Sequence, residues 1–100
     1  MQKKLTSLSL AESEALAAQA FAFLCAERER AERFLRLTGL EPSSLPALAA
    51  EPGFLAGVLE HLLGDEALLL TFCANQGIDP QLIAAAQRRL ADPPPDGPGA

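Results

Sequence analysis

The chain has 100 residues and a formal net charge of −5 at pH 7, and 49% of its residues are hydrophobic although only five, all Phe, are aromatic. One hundred residues suit a single domain that buries roughly two-thirds of the surface of the unfolded chain. The acidic balance opposes a general attraction to phosphate backbones or anionic lipids, so a nucleic-acid role would need a local basic patch. A core built mainly from Leu and Ala favours helices.

The N-terminal region contains an apolar run that is preceded by Lys3 and Lys4, as in an export signal. Glu12 and Glu14 interrupt this run, so we do not expect export. The most apolar window, residues 54–73, carries four charged or polar side chains near its middle and does not predict a transmembrane span. We therefore expect a cytoplasmic protein without a membrane segment.

The first helix is predicted to begin at Ser9, because Ser9 and Glu12 have the spacing of a capping box. Apolar residues then recur at helical spacing to about Ala26. The charged segment that follows ends at Gly39, a residue typical of helix C-termini. Whether this segment continues the first helix or forms a second one is open.

Three further helices are predicted after a short helical segment at residues 43–50. They cover residues 52–63, 65–75 and 79–90, and the 65–75 helix is apolar around most of its circumference, which predicts a central position. The prediction is an all-α fold of five or six short helices in one domain, residues 8–92. Residues 1–7 and the Pro- and Gly-rich residues 93–100 are expected to be disordered.

Two stretches share one pattern of Phe, Gly, aliphatic residue, acid and Pro: "FLRLTGLEPSSL" at residues 34–45 and "FCANQGIDPQLI" at residues 72–83. In both, the Gly is expected to close a helix in the left-handed conformation, and the acid with the following Pro to begin the next helix. A duplicated helix pair is the alternative, but the two copies hardly match outside this pattern.

No catalytic constellation, metal site or cofactor site is predicted from the residue types and their spacing. Cys25 and Cys73 are 48 residues apart among apolar neighbours and are expected to be buried free thiols, with a disulfide or metal pair as the alternative. His61 lies near the edge of an apolar stripe, where a hydrogen-bonded structural role is expected. An enzyme centred on His61 as a base and Asp65 as its orienting carboxylate ranks third among the functions considered.

A nucleic-acid-associated regulator is the second hypothesis, and it would use Arg30, Arg33, Arg36, Arg88 and Arg89. The first three follow one another at i,i+3, but interleaved glutamates cancel much of their field and favour a solvated face. The last two lie at the wrong end of their helix for a recognition helix. We therefore expect nucleic-acid binding to be absent.

The leading hypothesis is a non-enzymatic protein-interaction or accessory module, because Leu-rich helical surface is abundant while nucleophiles, metal sets and phosphate loops are missing. A partner or a second copy is expected to dock around Leu55, Leu59 and Leu62 on the 52–63 helix. The alternative is that these leucines complete the monomer core. In that case the interaction surface is sought on the face formed by residues 30–36.

The segments "LTGL", "AAEP" and "LLGDEALLL" resemble the DUF3572 family of small, functionally uncharacterised proteins found largely in alphaproteobacteria. The resemblance covers about residues 15–90. Members commonly open the second helix with Asp-Pro, where this chain has Arg28 and Glu29. The resemblance implies a small bacterial helical domain and brings no activity, cofactor or catalytic residue to this sequence.

Overall fold

The structure is a computed structural model and describes residues 8–91. Within this range the chain forms six α-helices and no strands, which confirms the all-α prediction. The helices are α1 (Leu10–Cys25), α2 (Arg28–Thr38), α3 (Leu45–Leu48), α4 (Pro52–Leu63), α5 (Glu66–Gln76) and α6 (Pro80–Ala91), and a 3-10 turn (Pro42–Ser44) precedes α3. The disorder predicted for residues 1–7 and 93–100, and the domain end at residue 92, lie outside the described residues.

The predicted capping box opens α1. The Ser9 hydroxyl accepts a hydrogen bond from the Glu12 N–H at 3.0 Å, and the Glu12 carboxylate accepts one from the Ser9 N–H at 2.9 Å. The helix ends at Cys25, and Glu27 then has extended backbone angles, φ −126° and ψ 135°. The first two helices are therefore separate.

The helix ends follow the shared pattern of the two sequence stretches. Gly39 and Gly77 adopt the left-handed conformation, with φ of +76° and +66°, at the ends of α2 and α5. The Gly39 N–H donates to the carbonyl of Leu35 at 2.8 Å, and the Ile78 N–H donates to that of Cys73 at 2.9 Å. The predicted helix end is therefore confirmed in both copies. Pro80 begins α6 as predicted, whereas Pro42 begins the 3-10 turn that precedes α3.

The core lies where α4 packs against α1 and α6. Leu24 of α1, Leu59 of α4 and Ile83 of α6 are all fully buried. Small residues are also fully buried on α1 and α6, which favours close packing of these helices: Ala17, Ala20 and Ala86. The core is therefore shared by α1, α4 and α6, which pack on one another in all three pairs.

The central position predicted for the 65–75 helix is corrected by the structure. Along α5 only Phe72 and Cys73 are buried, and the Leu70 side chain is 50% exposed. Leu68 and Leu69 of α5 are only partly buried against the core, because α5 packs on α4 and α6 less extensively than α1 does. Apolar residues around most of the circumference of α5 therefore do not mean that this helix lies at the centre of the domain.

The two cysteines are free and differ in exposure, since Cys73 is buried and Cys25, at the last residue of α1, is exposed. The expectation of a buried thiol is thus correct for Cys73 and wrong for Cys25. Burial raises the pKa of the Cys73 thiol, and the negative charge of Asp79 raises it further. Across residues 8–91, none of the helices has both the length and the apolar character needed to cross a membrane.

Candidate functional site

Three phenylalanine rings, one each from α1, α2 and α4, meet edge to face. The Phe21 ring lies 6.4 Å from that of Phe34 and 5.3 Å from that of Phe54, and the Phe34 and Phe54 rings are 6.0 Å apart, between centroids. Edge-to-face pairs add about 0.5–1.5 kcal/mol each beyond the burial of their area. This aromatic cluster therefore fixes α2 and the start of α4 relative to α1.

An open apolar cleft of about 400 Å³ lies over two of these rings. It is bounded by the end of α2, the loop that follows it, α3 and the first half of α4. Its lining comprises Phe34, Thr38, Leu40, Leu48, Glu51, Gly53, Phe54 and Gly57. We call it the α2–α4 cleft.

Two glycines form the α4 side of the α2–α4 cleft. Gly53 and Gly57 are four residues apart and therefore share one face of the helix. A Cβ atom built on either one would have no other atom within 4 Å, apart from the neighbouring backbone. A glycine inside a helix costs about 1 kcal/mol relative to alanine, and packing within this chain does not require Gly57. The missing side chains are what leave the cleft open.

Glu51 is the one acidic residue in the lining of the α2–α4 cleft. It occupies the N-cap position of α4, but its side chain makes no capping hydrogen bond. It has no ion-pair partner among the residues that the structure describes. The rim of an otherwise apolar cleft thus carries an exposed, uncompensated carboxylate.

His61 and Asp65 do not form the base and carboxylate pair considered from the sequence. Asp65 caps α5 by accepting from the Leu68 N–H at 3.2 Å, and its other oxygen lies 3.9 Å from the Arg33 guanidinium. The His61 Nε2 atom is buried without a hydrogen-bond partner in the described part of the chain, and its ring meets that of Phe34 edge to face. The sequence-based expectation of a hydrogen-bonded histidine is therefore wrong at Nε2.

The environment of His61 disfavours its charged form. Burial lowers the pKa of His61 from its usual 6.5, and the positive charge of Arg33 lowers it further, while the negative charge of Asp65 opposes them. Among residues 8–91, no group of three His, Cys, Asp or Glu side chains is arranged to hold a metal ion.

The three arginines predicted to form one face of α2 have different surroundings in the structure. The Arg30 guanidinium lies 4.0 Å from the centre of the Phe23 ring, donates to the Phe23 carbonyl at 3.4 Å and pairs with Glu27 at 3.7 Å. This side chain joins α2 to α1 and is 24% exposed. Arg33 pairs with Asp65, as described above, so two of the three arginines have roles inside the fold.

The remaining arginines are exposed. Arg36 on α2 and Arg88 and Arg89 on α6 have no ion pair with another described residue. They lie on two helices that the structure does not pack tightly together. The predicted basic set is therefore not one continuous stripe.

The partner surface predicted around Leu55, Leu59 and Leu62 is corrected by their burial. Their side chains are 4%, 0% and 0% exposed, respectively, because α1 and α6 cover this face of α4. These leucines complete the core, which was the alternative reading of the sequence. The face of α4 that remains open is the one that carries Gly53 and Gly57.

Comparison with known protein families identifies the chain. The model of the family described as "Protein of unknown function (DUF3572)" matches residues 10–93. The chain belongs to the DUF3572 family. Neither the curated proteins nor the solved structures contain a match to it.

The matched part of this DUF3572 chain contains every residue that lines the α2–α4 cleft. Sequence reasoning missed the cleft because none of its lining residues belongs to a known chemical motif. One signal was present. Gly53 and Gly57 lie at i,i+4 in an otherwise Leu-rich helix, where each removes a side chain from the same face.

Proposed function

We propose that this DUF3572 protein is a non-enzymatic interaction module that binds a segment of a partner protein in the α2–α4 cleft. The observation that carries the proposal is the open apolar cleft over Phe34 and Phe54, with Gly53 and Gly57 as its helical wall. Binding sites for protein segments are apolar recesses into which a few large side chains insert. We also propose a cytoplasmic location, because Glu12 and Glu14 interrupt the N-terminal apolar run.

The energetics favour a partner of this kind. The fold tolerates Gly57 at a cost to helix stability of about 1 kcal/mol, without a packing contact that would explain it. A fully buried Leu or Phe side chain from a partner contributes about 1.5–3 kcal/mol. One or two such anchors would offset the cost of leaving the cleft unfilled in the free protein.

Substitution of Gly57 separates binding from folding. Gly57→Leu would fill the cleft from its own wall, and it is expected to raise the melting temperature, because leucine favours the helix by nearly 1 kcal/mol relative to glycine. A domain of this size gains about 4–8 °C per kcal/mol. Ala18→Leu, at an exposed position of α1 outside the cleft, is the matched control.

The test compares proteins captured from an extract of the source organism by the unmodified chain and by each variant. The proposal predicts a partner that the unmodified chain and Ala18→Leu retain and that Gly57→Leu loses. Equal retention by all three forms would contradict a role of the cleft. Capture of a second copy of the chain, lost in the same way, would identify self-association as the function of the cleft.

A second candidate, a nucleic-acid-associated regulator, has one observation in its favour. Arg36, Arg88 and Arg89 are exposed and unpaired within the described range. A gel-shift assay at low salt tests it with the double variant Arg88→Glu and Arg89→Glu. Binding that weakens steeply with salt and disappears in the variant would support this candidate over the cleft.

A further inference from the structure

We infer that the segment bound in the α2–α4 cleft combines a large apolar anchor residue with a neighbouring lysine or arginine that pairs with Glu51. This inference rests on the proposed function and specifies the chemistry of the partner. It follows from three properties of the cleft: its size, its apolar floor and the charge at its rim.

The size of the cleft selects side chains rather than a whole helix. Its volume of about 400 Å³ is near the lower end of the range for ligand pockets, about 300–1,000 Å³. The rest of the partner segment therefore lies outside, against the rim. A cleft of this kind accommodates one or two large side chains from a segment that passes over its mouth.

The floor of the cleft determines that the anchor is apolar. We call the rings of Phe34, which is buried, and Phe54, which is half-buried, the floor of the cleft, and Leu40 and Leu48 add further apolar groups to its lining. A polar anchor would lose its hydration against these apolar groups, and the Thr38 hydroxyl of the lining already donates its hydrogen to the Phe34 carbonyl. Leucine, methionine and phenylalanine fit this surface, because each brings a large apolar area and no group that needs a hydrogen bond.

The rim determines the charge of the flanking residue. Glu51 is the one charged residue of the lining, and it is exposed and has neither a capping bond nor an ion pair among residues 8–91. A cation beside the anchor would approach this carboxylate, whereas an acidic residue there would be repelled. An exposed pair of this kind changes affinity by up to about fivefold.

The test uses two fluorescein-labelled helical peptides, each about 15 residues long. They share one leucine face and differ in their polar positions, which are all lysine in the first and all glutamate in the second. Fluorescence anisotropy measures the affinity of each for the unmodified protein and for three variants: Gly57→Leu, Glu51→Lys and Glu29→Lys. Glu29 is the control: it lies in the first turn of α2, near a helix start as Glu51 does, and it is exposed and does not line the cleft. Glu29→Lys changes the net charge by the same amount as Glu51→Lys.

The inference predicts that the lysine peptide binds more tightly than the glutamate peptide. Glu51→Lys should weaken the lysine peptide by up to about fivefold relative to Glu29→Lys. Gly57→Leu, which keeps the net charge, should abolish binding. Equal effects of the two Glu→Lys changes would show general attraction to an acidic protein and would overturn the inference.

The failure of the inference is distinguishable from that of the proposed function. If both peptides bind equally and Gly57→Leu abolishes both, the cleft is an apolar docking site without the predicted charge preference. If Gly57→Leu leaves the affinity of the lysine peptide unchanged, the cleft is not the site. The second result would contradict both proposals.

Discussion

The ring of His61 meets the ring of Phe34 edge to face, with centroids 5.1 Å apart and an angle of 82° between the planes. This contact links α4 to the floor of the α2–α4 cleft, because Phe34 also lines the cleft. The His61 Nε2 atom is buried there without a hydrogen-bond partner within residues 8–91. Protonation at this nitrogen would therefore place an N–H group where no acceptor among the described residues meets it.

The stability of the protein should fall as the pH drops through the range just below 6.5. Burial lowers the pKa of His61 from 6.5, with a further contribution from Arg33. The unfolded chain then binds more protons than the folded chain in this range, so the free energy of unfolding decreases as the pH falls. Urea unfolding at a series of pH values measures this decrease.

His61→Leu is the control for the pH dependence. At neutral pH it should keep the free energy of unfolding within about 1 kcal/mol of the unmodified value, because it removes both a ring contact and an unsatisfied nitrogen. Its stability should depend less on pH in the same range. An identical pH dependence in the two proteins would show that other groups cause it.

Leu59→Ala should destabilise the protein by about 2–5 kcal/mol, because the Leu59 side chain is fully buried between α4 and its neighbours. Leu37→Ala is the matched comparison, since Leu37 is 61% exposed. It should change the free energy of unfolding by less than about 0.5 kcal/mol. Similar losses in both variants, measured by chemical denaturation, would be inconsistent with this core.

The sequence predicted the helix ends well because the signals are local. Ser9 and Glu12 satisfy each other's backbone N–H groups, and Gly39 and Gly77 adopt backbone angles that other residues disfavour. Each of these features depends on residues only a few positions apart. Periodicity and capping therefore located most helix ends to within a few residues, while the break between α1 and α2 was left open by the sequence.

The arrangement of the helices was harder to predict, because it depends on contacts between distant residues. The leucines of α5 gave it an apolar circumference, yet Leu70 remains half exposed. The buried side chains are instead shared among α1, α4 and α6, where small residues such as Ala20 and Ala86 are fully buried. The cleft was missed for the same reason, since Phe34, Leu48 and Gly57 come from three separate helices.

Hydrogen exchange should distinguish the two arrangements. The amides of Val58, Leu59 and Leu62 on α4 should exchange most slowly, because opening them requires the core to separate. The amides of Leu69 and Leu70 should exchange faster, because α5 packs on the rest of the domain through few buried side chains. The reverse order, with α5 the slowest, would favour α5 as the centre.

Gly39→Ala should destabilise the protein by about 1–2 kcal/mol, because φ at this position is +76° and a Cβ atom is disfavoured there. Gly64→Ala is the control, since Gly64 also ends a helix but has φ of −82° and room for a Cβ at ordinary contact distances. It should be neutral or stabilising. Thermal unfolding of both variants measures the difference, and equal losses would contradict the assigned backbone conformations.

The location of the binding site is tested most directly by amide chemical shifts in ¹⁵N-labelled protein during titration with the lysine peptide. The account predicts the largest changes at Thr38, Leu40, Gly53 and Gly57, all of which line the α2–α4 cleft. Gly57→Leu should eliminate these changes while the spectrum remains that of a folded protein. Changes centred instead on the exposed arginines of α6, or persisting in the Gly57→Leu variant, would contradict the cleft as the site of partner binding.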